Sequence, residues 1–382
     1  MQRRLAQKVI GRNIIVPLAA GLFSLLAVGY IFIQGKPILA PLIFALLISG
    51  LVYNIFIGIN QFFKVKWISS LTTILVLIIP VLMLVGVLGL QFEEVFSESD
   101  ELVTSMEQKS KTSLAKANSN MPKSMRMTRS EINTYINDGK DQIFGYLQSG
   151  VSSGISMMFS FFLTLIYVFF ILQYSSGFKQ FIISQMEEGK KENGIQVMTK
   201  MKDMIRSYLS GLGLVVVILC VLNSIGLMFF GVKYAVMWGC LAGVLAIIPY
   251  VGTIIGSALP IAFAFATMDD IWIPIGIAAY FFVVQQLEGN FITPKIIGNK
   301  INVNPFFAIL SVVFFGYIWG IAGAILGLPL AGLVKIVLST YEHTAALSTL
   351  MSEEIDEPDK FSNELSSSRY RLVNLFSFRR RV

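Results

Sequence analysis

Charged residues are scarce in this sequence, and histidine and cysteine are scarcer still. Charged side chains make up 14% of the 382 residues and hydrophobic residues 55%, with a mean hydropathy of +0.70. This balance excludes an ordinary soluble protein and predicts a polytopic membrane protein. The one histidine, His343, has no other histidine or cysteine at ligand spacing. We therefore expect neither a metal site nor a cofactor.

Other absences narrow the function further. Cys220 and Cys240 both lie in apolar stretches, which argues against a disulfide framework. The net charge of +7 is spread over the loops that flank apolar runs, which is typical of membrane orientation rather than of nucleic-acid binding. No Gly-x-x-x-x-Gly-Lys-Ser/Thr phosphate loop and no nucleophile–base pair can be assembled, so we expect neither an ATP-driven pump nor an enzyme.

Apolar runs divide the chain into about eight hydrophobic segments, which predicts an all-α polytopic fold. We expect residues 1–90 to hold three scaffold spans, 151–340 to form the transport core, and 341–382 to be a cytoplasmic tail. The predicted spans are 13–33, 37–61, 67–90, 151–174, 207–230 and 271–289.

Polar stretches between the spans indicate the sides of the membrane. The basic N-terminus and the basic loop at 175–206 both belong in the cytoplasm by the positive-inside rule. Residues 91–150 then form a helical extracytoplasmic excursion. We interpret this excursion as a spacer or an oligomer contact, with a substrate-binding domain as the alternative.

Two apolar tracts, 234–266 and 305–340, are interrupted by glycine and proline. A single crossing by the first tract would place Asp269 and Asp270 inside, against the charge preference. A hairpin turning near Pro249 places them outside, in a turn that we expect to be solvated. We therefore predict two helical hairpins, fully or partly inserted.

Breaks of this kind are the best sequence indication of a transporter's substrate site. Proline removes a backbone donor and glycine permits unusual dihedral angles, so carbonyl groups before Pro249 should be free to bind a cation or a polar solute. The alternative is a packing kink. Four Gly-x-x-x-Gly spacings in the two tracts predict close helix packing. The residues that we assign to breaks and hinges are Pro249, Gly252, Gly256, Pro260, Pro294, Gly298, Pro305, Gly320, Gly323, Gly327 and Pro329.

Glu288 is the strongest candidate for a coupling or binding residue, because it follows an apolar stretch late in a span. A carboxylate in that position is usually turned to a cavity, paired or protonated. The alternative is a structural ion pair with Lys295. Gln285, Gln286 and Asn290 surround Glu288 and could bind a polyhydroxylated solute or sodium, or could join helices by hydrogen bonds.

Several of these segments also resemble a known family. The runs IIPYVGTIIGSALP, QQLEGNFITPKIIGNKINVNPFFAILSVVFFG and GIAGAILGLPLAGLVK, together with RSYLSGL at 206–212, are similar to the autoinducer-2 exporter (AI-2E) family. The matching positions are Pro249, Tyr250, Gly252, Pro260, Gln286, Glu288, Asn290, Pro294, Gly298, Pro305, Gly320, Gly323, Gly327 and Pro329. The resemblance implies a homo-oligomeric transporter of the bacterial inner membrane, with a pentamer as one such assembly. It also implies two activities among family members, autoinducer-2 export and sodium/proton antiport.

The sequence therefore predicts a secondary transporter that exports a small polar solute, such as an autoinducer-2-like signalling molecule. Its binding centre would be Glu288 with Gln285, Gln286, Asn290 and Tyr250, and the lipid bilayer would be its surroundings. Sodium/proton antiport is the first alternative, and a non-transporting membrane scaffold is the second. We expect both termini in the cytoplasm.

Overall fold

The computed structural model describes residues 16, 19–24, 26–97, 104–105, 108–109, 111–112, 134, 158–249, 251–298, 301–341 and 344–353. Within these residues the chain forms helices and no strands. The predicted all-α fold is therefore confirmed. Tyr250, Lys300, His343, most of the excursion and the end of the tail lie outside the described residues.

The helices follow one another with short connections through most of the described chain. In chain order they are α1 (Ala19–Gln34), α2 (Lys36–Phe63), α3 (Lys66–Ser97), α4 (Met158–Gln173), α5 (Ser175–Ser184), α6 (Lys191–Phe229), α7 (Ala235–Leu245), α8 (Val251–Thr267), α9 (Trp272–Leu287), α10 (Thr293–Ile296), α11 (Pro305–Trp319), α12 (Ile321–Thr340) and α13 (Ala345–Leu350). A 3-10 turn at Glu188–Lys190 precedes α6, and a π-helical turn at Glu288–Ile292 joins α9 to α10.

Among the described residues, five helical stretches are long and apolar enough to cross a membrane, by length and composition. They are Lys36–Phe63, Lys66–Val95, Lys191–Phe229, Trp272–Ile296 and Ile321–Thr340. A sixth results if α4 and α5, which meet at 66°, form one bent span. The predicted count of about eight is not confirmed, because the broken tracts divide into shorter helices. An 11-residue helix such as α7 is only about 17 Å long, well short of the hydrocarbon core.

The N-terminal helices α2, α3 and α4 pack around a shared apolar core. The buried members of this core, each at most 7% exposed, are Ala45, Val52, Phe56, Ile74, Val168 and Leu172. The three helices therefore form one bundle, to which α6 is attached through contacts with α2.

Helix α6 is the central element of the fold. It contacts α2, α7, α9, α10 and α12, so both halves of the molecule are built against it. It is also longer than the sequence indicated. Residues 175–206 were expected to form a loop, but α5 and the first turns of α6 occupy most of that stretch. The turn signal Asn193–Gly194 lies in the first turn of α6, and no proline follows it in 194–206, so the polar residues continue the helix instead of ending it.

One contact relates the excursion to the C-terminal half. The Lys109 ammonium donates to the Met268 carbonyl at 2.7 Å and lies 3.5 Å from the Asp269 carboxylate. The excursion therefore meets the turn between α8 and α9. A two-hairpin topology requires these two segments to lie on the same side of the membrane, and the contact agrees with it.

Candidate functional site

The helix that carries Glu288 widens where Glu288 begins. The Thr293 N–H donates to the Glu288 carbonyl, which closes an i to i+5 turn over Glu288–Ile292. Pro294 is the local cause. It has no N–H to donate to the Asn290 carbonyl, and in a regular α-helix its ring would clash with that carbonyl. Such π-helical turns are rare and are frequently found at functional sites.

The widened turn determines the partners of Glu288. Gln285 donates an amide hydrogen to one carboxylate oxygen at 2.8 Å, and the Thr293 hydroxyl donates to the other. Residues five apart lie about 140° apart around a regular α-helix, so Thr293 can reach Glu288 because the turn is wider. Among the described residues Glu288 has no ion pair with Lys295, which removes the simplest structural explanation for the carboxylate.

Glu288 and Gln285 line a cavity of about 530 Å³. Its walls come from α6, the turn of the first hairpin, the π-helical turn, the segment 297–305 and the second hairpin. The polar residues of its lining are Tyr208, Thr253, Gln285, Glu288, Thr293, Asn302 and Glu353. This volume suits a small ligand, and apolar walls with a few convergent polar groups are typical of small-molecule sites.

The first hairpin reaches the cavity with its turn. Helix α7 ends at Leu245, and α8 begins at Val251, so the break falls at the predicted position. Pro249 and Thr253 on either side of this turn line the cavity. The hairpin is packed tightly: a Cβ atom on Gly256 would lie 2.9 Å from the Ala242 Cα atom of the opposite arm.

The second hairpin reaches the cavity with its open end. Pro305, Ala308 and Val312 of α11 and Leu328 of α12 line the cavity. The turn at the other end is Gly320, whose φ of +65° and ψ of −142° are essentially restricted to glycine. The lining residues nearest to that turn, Val312 and Leu328, each lie eight positions from Gly320 along the chain.

The turn of the second hairpin is attached to the start of the chain. The Trp319 indole N–H donates to the Phe32 carbonyl at 2.9 Å, and the two rings stack with centroids 5.8 Å apart. Trp319 is only 1% exposed. The second hairpin is therefore anchored at its turn to the last turn of α1.

The electrostatics of the cavity are set by two carboxylates. Glu288 and Glu353 are the charged residues among its described lining residues. A nearby base, Lys335, donates from its ammonium to the Asn302 carbonyl. The lining itself therefore offers acceptor oxygens, which suit a hydroxylated solute or a cation better than an anion.

Not all the predicted binding residues meet at this cavity. Gln286 and Asn290 are exposed side chains that contact each other at 3.5 Å, and neither lines the cavity. Tyr250 lies outside the described residues. Glu288 therefore has Gln285 and Thr293 as hydrogen-bonding partners, whereas Gln286 and Asn290 form a separate pair on the helix surface.

The predicted break and hinge residues occupy several kinds of position. Pro249, Gly298 and Pro305 line the cavity, and Gly298 ends its helix with a φ of +56°. Pro260 and Pro329 are fully buried inside helices. Four glycines allow close approach of hairpin arms: Gly252, Gly256, Gly323 and Gly327. Pro294 follows the π-helical turn, and Gly320 forms the turn of the second hairpin.

Sequence reasoning missed Thr293, Asn302 and Glu353 as lining residues, and also Tyr208 and Thr253. The proline after Thr293 is a signal for the first, since it predicts a disturbed helix just before it. Asn302 and Glu353 carry no such local signal. They are 51 positions apart, and the Glu353 N–H donates to the Asn302 side-chain oxygen at 3.2 Å because the C-terminal segment folds back.

Comparison with known proteins shows similarity to a family of membrane transporters. The family model for AI-2E family transporters matches residues 22–343. The chain is 28% identical over 168 residues to the candidate transport protein YueF of Bacillus subtilis, covering 44% of this chain and 45% of YueF. It is 31% identical over 125 residues to a candidate transport protein of Haemophilus influenzae, covering 33% of this chain and 36% of that protein. It is 28% identical over 152 residues to the candidate permease PerM of Escherichia coli K12, covering 38% of this chain and 41% of PerM. The alignments span less than half the length of each of these relatives.

Proposed function

The chain belongs to the AI-2E family of membrane transporters, and from this premise we propose that it exports a small polar solute by secondary-active transport. The observation that carries the proposal is the position of Glu288, whose carboxylate lines a cavity of about 530 Å³ between the two hairpins. The solute binds at Glu288, Gln285 and Thr293. Movement of a hairpin then opens the cavity to the other side of the membrane.

The chemistry of the lining supports a neutral hydroxylated solute, of which autoinducer-2 is the candidate named by the family. A carboxylate accepts hydrogen bonds from solute hydroxyl groups, and amide and hydroxyl side chains both donate and accept them. The Gln285 and Thr293 donations hold the carboxylate in one orientation. A solute can therefore bind without first ordering this side chain.

The direct test is release of autoinducer-2 from loaded proteoliposomes, measured by mass spectrometry. We expect protein-dependent release that is faster under an imposed proton gradient and is lost in Glu288→Gln. Gln286→Leu is the matched control, since its side chain lies outside the cavity. If the wild type released autoinducer-2 no faster than loaded liposomes without protein, the choice of this solute would be contradicted.

Sodium/proton antiport is a second candidate, favoured by the two carboxylates that line the cavity, Glu288 and Glu353. A carboxylate beside a hydroxyl group and an amide provides ligands that suit a small hard cation. The test is proton movement followed with a pH-sensitive dye in proteoliposomes under a sodium gradient. A flux that disappears in Glu288→Gln supports antiport, and no flux in the wild type excludes it.

We also propose a multi-pass position in the bacterial inner membrane with both termini in the cytoplasm. The basic residues near the N-terminus and at the end of the tail support this orientation. The family resemblance supports a homo-oligomer. The orientation can be tested by introducing a cysteine at each end of the chain and labelling it with a reagent that cannot cross the membrane. Chemical cross-linking in membranes would test the assembly.

A further inference from the structure

The C-terminal segment 344–353 folds back onto the base of the second hairpin. After α13, the Met351 side chain, 7% exposed, packs with Val303 and Ala331 in a small buried cluster. The Ser348 hydroxyl donates to the Lys335 carbonyl at 3.2 Å. The segment is therefore part of the folded core instead of a free end.

Asn304 lies at the centre of this attachment and is 7% exposed. Its side-chain nitrogen donates to the Leu350 carbonyl at 2.9 Å and to the Ser352 carbonyl at 3.3 Å. Its backbone N–H donates to the Met351 carbonyl at 2.8 Å. The Asn304 side-chain oxygen instead caps α11, where it accepts a hydrogen bond from the Phe307 N–H at 3.0 Å.

The attachment lies at the cavity wall. Asn302 and Val303 before Asn304 and Pro305 after it line the cavity, and Glu353 lines it from the C-terminal segment. The Glu353 N–H donates to the Asn302 side-chain oxygen. The same bonds that hold the segment in place therefore hold part of the wall around Glu288.

We propose that residues 344–353 act as a latch, which holds the base of the second hairpin and limits access to the cavity, with Asn304 as the positioning residue. The importance of the latch for transport depends on the proposed function, because the cavity is the proposed solute site. The physical basis of the latch does not depend on the proposed function, since the latch consists of hydrogen bonds and packing between the segment and residues 302–304. Release of the latch exposes the cavity and frees the base of the hairpin to move.

The side chain of Asn304 allows the latch to be separated from the helix cap. Asn304→Asp keeps the acceptor oxygen for the Phe307 N–H, and aspartate is a good capping residue. It removes both donations to the Leu350 and Ser352 carbonyls and places a carboxylate against them. The variant should therefore weaken the latch while α11 keeps its cap.

The test measures access to the cavity directly. Ala308→Cys is introduced into a full-length protein in which Cys220 and Cys240 are replaced by serine and alanine, and its reaction with a membrane-impermeant maleimide is timed. We expect Asn304→Asp to raise the labelling rate about tenfold, because two hydrogen bonds of the closed state are lost. Ser184→Cys, exposed on α5, should react at the same rate in both backgrounds.

Met351→Ala provides a second variant that leaves α11 untouched, and Leu350→Ala is its control, since Leu350 is 39% exposed and Met351 is 7% exposed. We expect faster labelling of Ala308→Cys in Met351→Ala and no change in Leu350→Ala. Unchanged labelling in the folded Asn304→Asp or Met351→Ala variant would overturn the latch. Faster labelling in a protein that transports neither autoinducer-2 nor protons would retain the latch and reject the proposed function.

Discussion

Both helical hairpins have glycines between their arms, but the first also sets two glycines against the backbone of α6. In the first, a Cβ atom on Gly243 would lie 2.6 Å from the Cys220 nitrogen, and Gly239 faces the backbone at Ser224, both in α6. In the second, a Cβ atom on Gly327 would lie 2.8 Å from the Ser311 carbonyl oxygen in its own opposite arm. The first hairpin is therefore packed into the central helix, whereas the second is packed mainly against itself.

The hairpins also differ in the end that they present to Glu288. The first contributes its turn, at Pro249 and Thr253, and the second contributes its open end, at Pro305 and Ala308. A hairpin fixed by backbone contacts to α6 makes a rigid wall. A hairpin held at its turn and its base can rotate as a unit. We therefore expect the second hairpin to be the one that moves during transport.

Linking the two hairpins across the cavity should have the largest effect. We expect a reducible thiol cross-linker between Thr253→Cys and Ala308→Cys to lower the transport rate to that of liposomes without protein. The two hairpins can then no longer separate. Reduction of the linker should restore the rate. The measurement is solute release before and after reduction.

A link within the second hairpin is the matched control. A Cβ atom on Gly316 would lie 3.6 Å from that of Ala324, which is within the range for a disulfide. A Gly316→Cys, Ala324→Cys disulfide should therefore form and leave transport unchanged. Loss of transport in this variant, or retained transport in the cross-linked one, would contradict a second hairpin that moves as a unit.

Overpacking the contact between the first hairpin and α6 should have the next largest effect. We expect Gly243→Ala to lower the free energy of unfolding by about 2 kcal/mol, because the new methyl group meets backbone that cannot move aside. Thermal unfolding in detergent measures the change. Gly213→Ala on α6, where nothing lies within 4 Å, should be neutral or slightly stabilising. Equal losses in both variants would contradict a specific close contact.

The two neighbouring glutamines provide a test of the cavity with smaller expected effects. Gln285→Leu should slow solute transport about fivefold to tenfold, because Glu288 loses a hydrogen-bond donor. Gln286→Leu should leave the rate unchanged. The rates are compared in proteoliposomes at matched protein content. A larger loss in Gln286→Leu would place the solute path on the other face of α9.

Weakening the anchor of the second hairpin should have the smallest effect. Trp319→Phe leaves a smaller aromatic ring that can still stack on Phe32 and removes the indole donor to its carbonyl, so we expect a loss of about 1 kcal/mol in the free energy of unfolding. Trp272→Phe, at a side chain 72% exposed, is the control and should cost less. Denaturant unfolding of both variants measures the two losses in the free energy of unfolding. No difference would mean that the turn is held by stacking alone.

The sequence was sufficient to predict the helical class and the position of the first break. Long apolar runs leave few alternatives to helices in a membrane. Pro249 and Gly252 mark the break because proline and glycine act on the backbone within a few residues. The chosen carboxylate, Glu288, does line the cavity, whereas its role in transport stays a prediction.

The partners of Glu288 could not be predicted by helical spacing. Gln286 and Asn290, four apart, do contact each other, as a regular helix predicts. Thr293 is five residues from Glu288 and reaches it through the π-helical turn, which residue spacing alone does not reveal. Glu353 is brought to the cavity by long-range folding of the C-terminal segment, for which the sequence carries no local signal.

Transport through a site at Glu288 requires a cavity that opens to each side of the membrane in turn. Ala308→Cys, in the protein without its native cysteines, can be treated with a membrane-impermeant maleimide in vesicles of either orientation. We predict labelling from both sides, with an added solute changing the two rates in opposite directions. Labelling from one side only, under every condition, would contradict a transport site at Glu288.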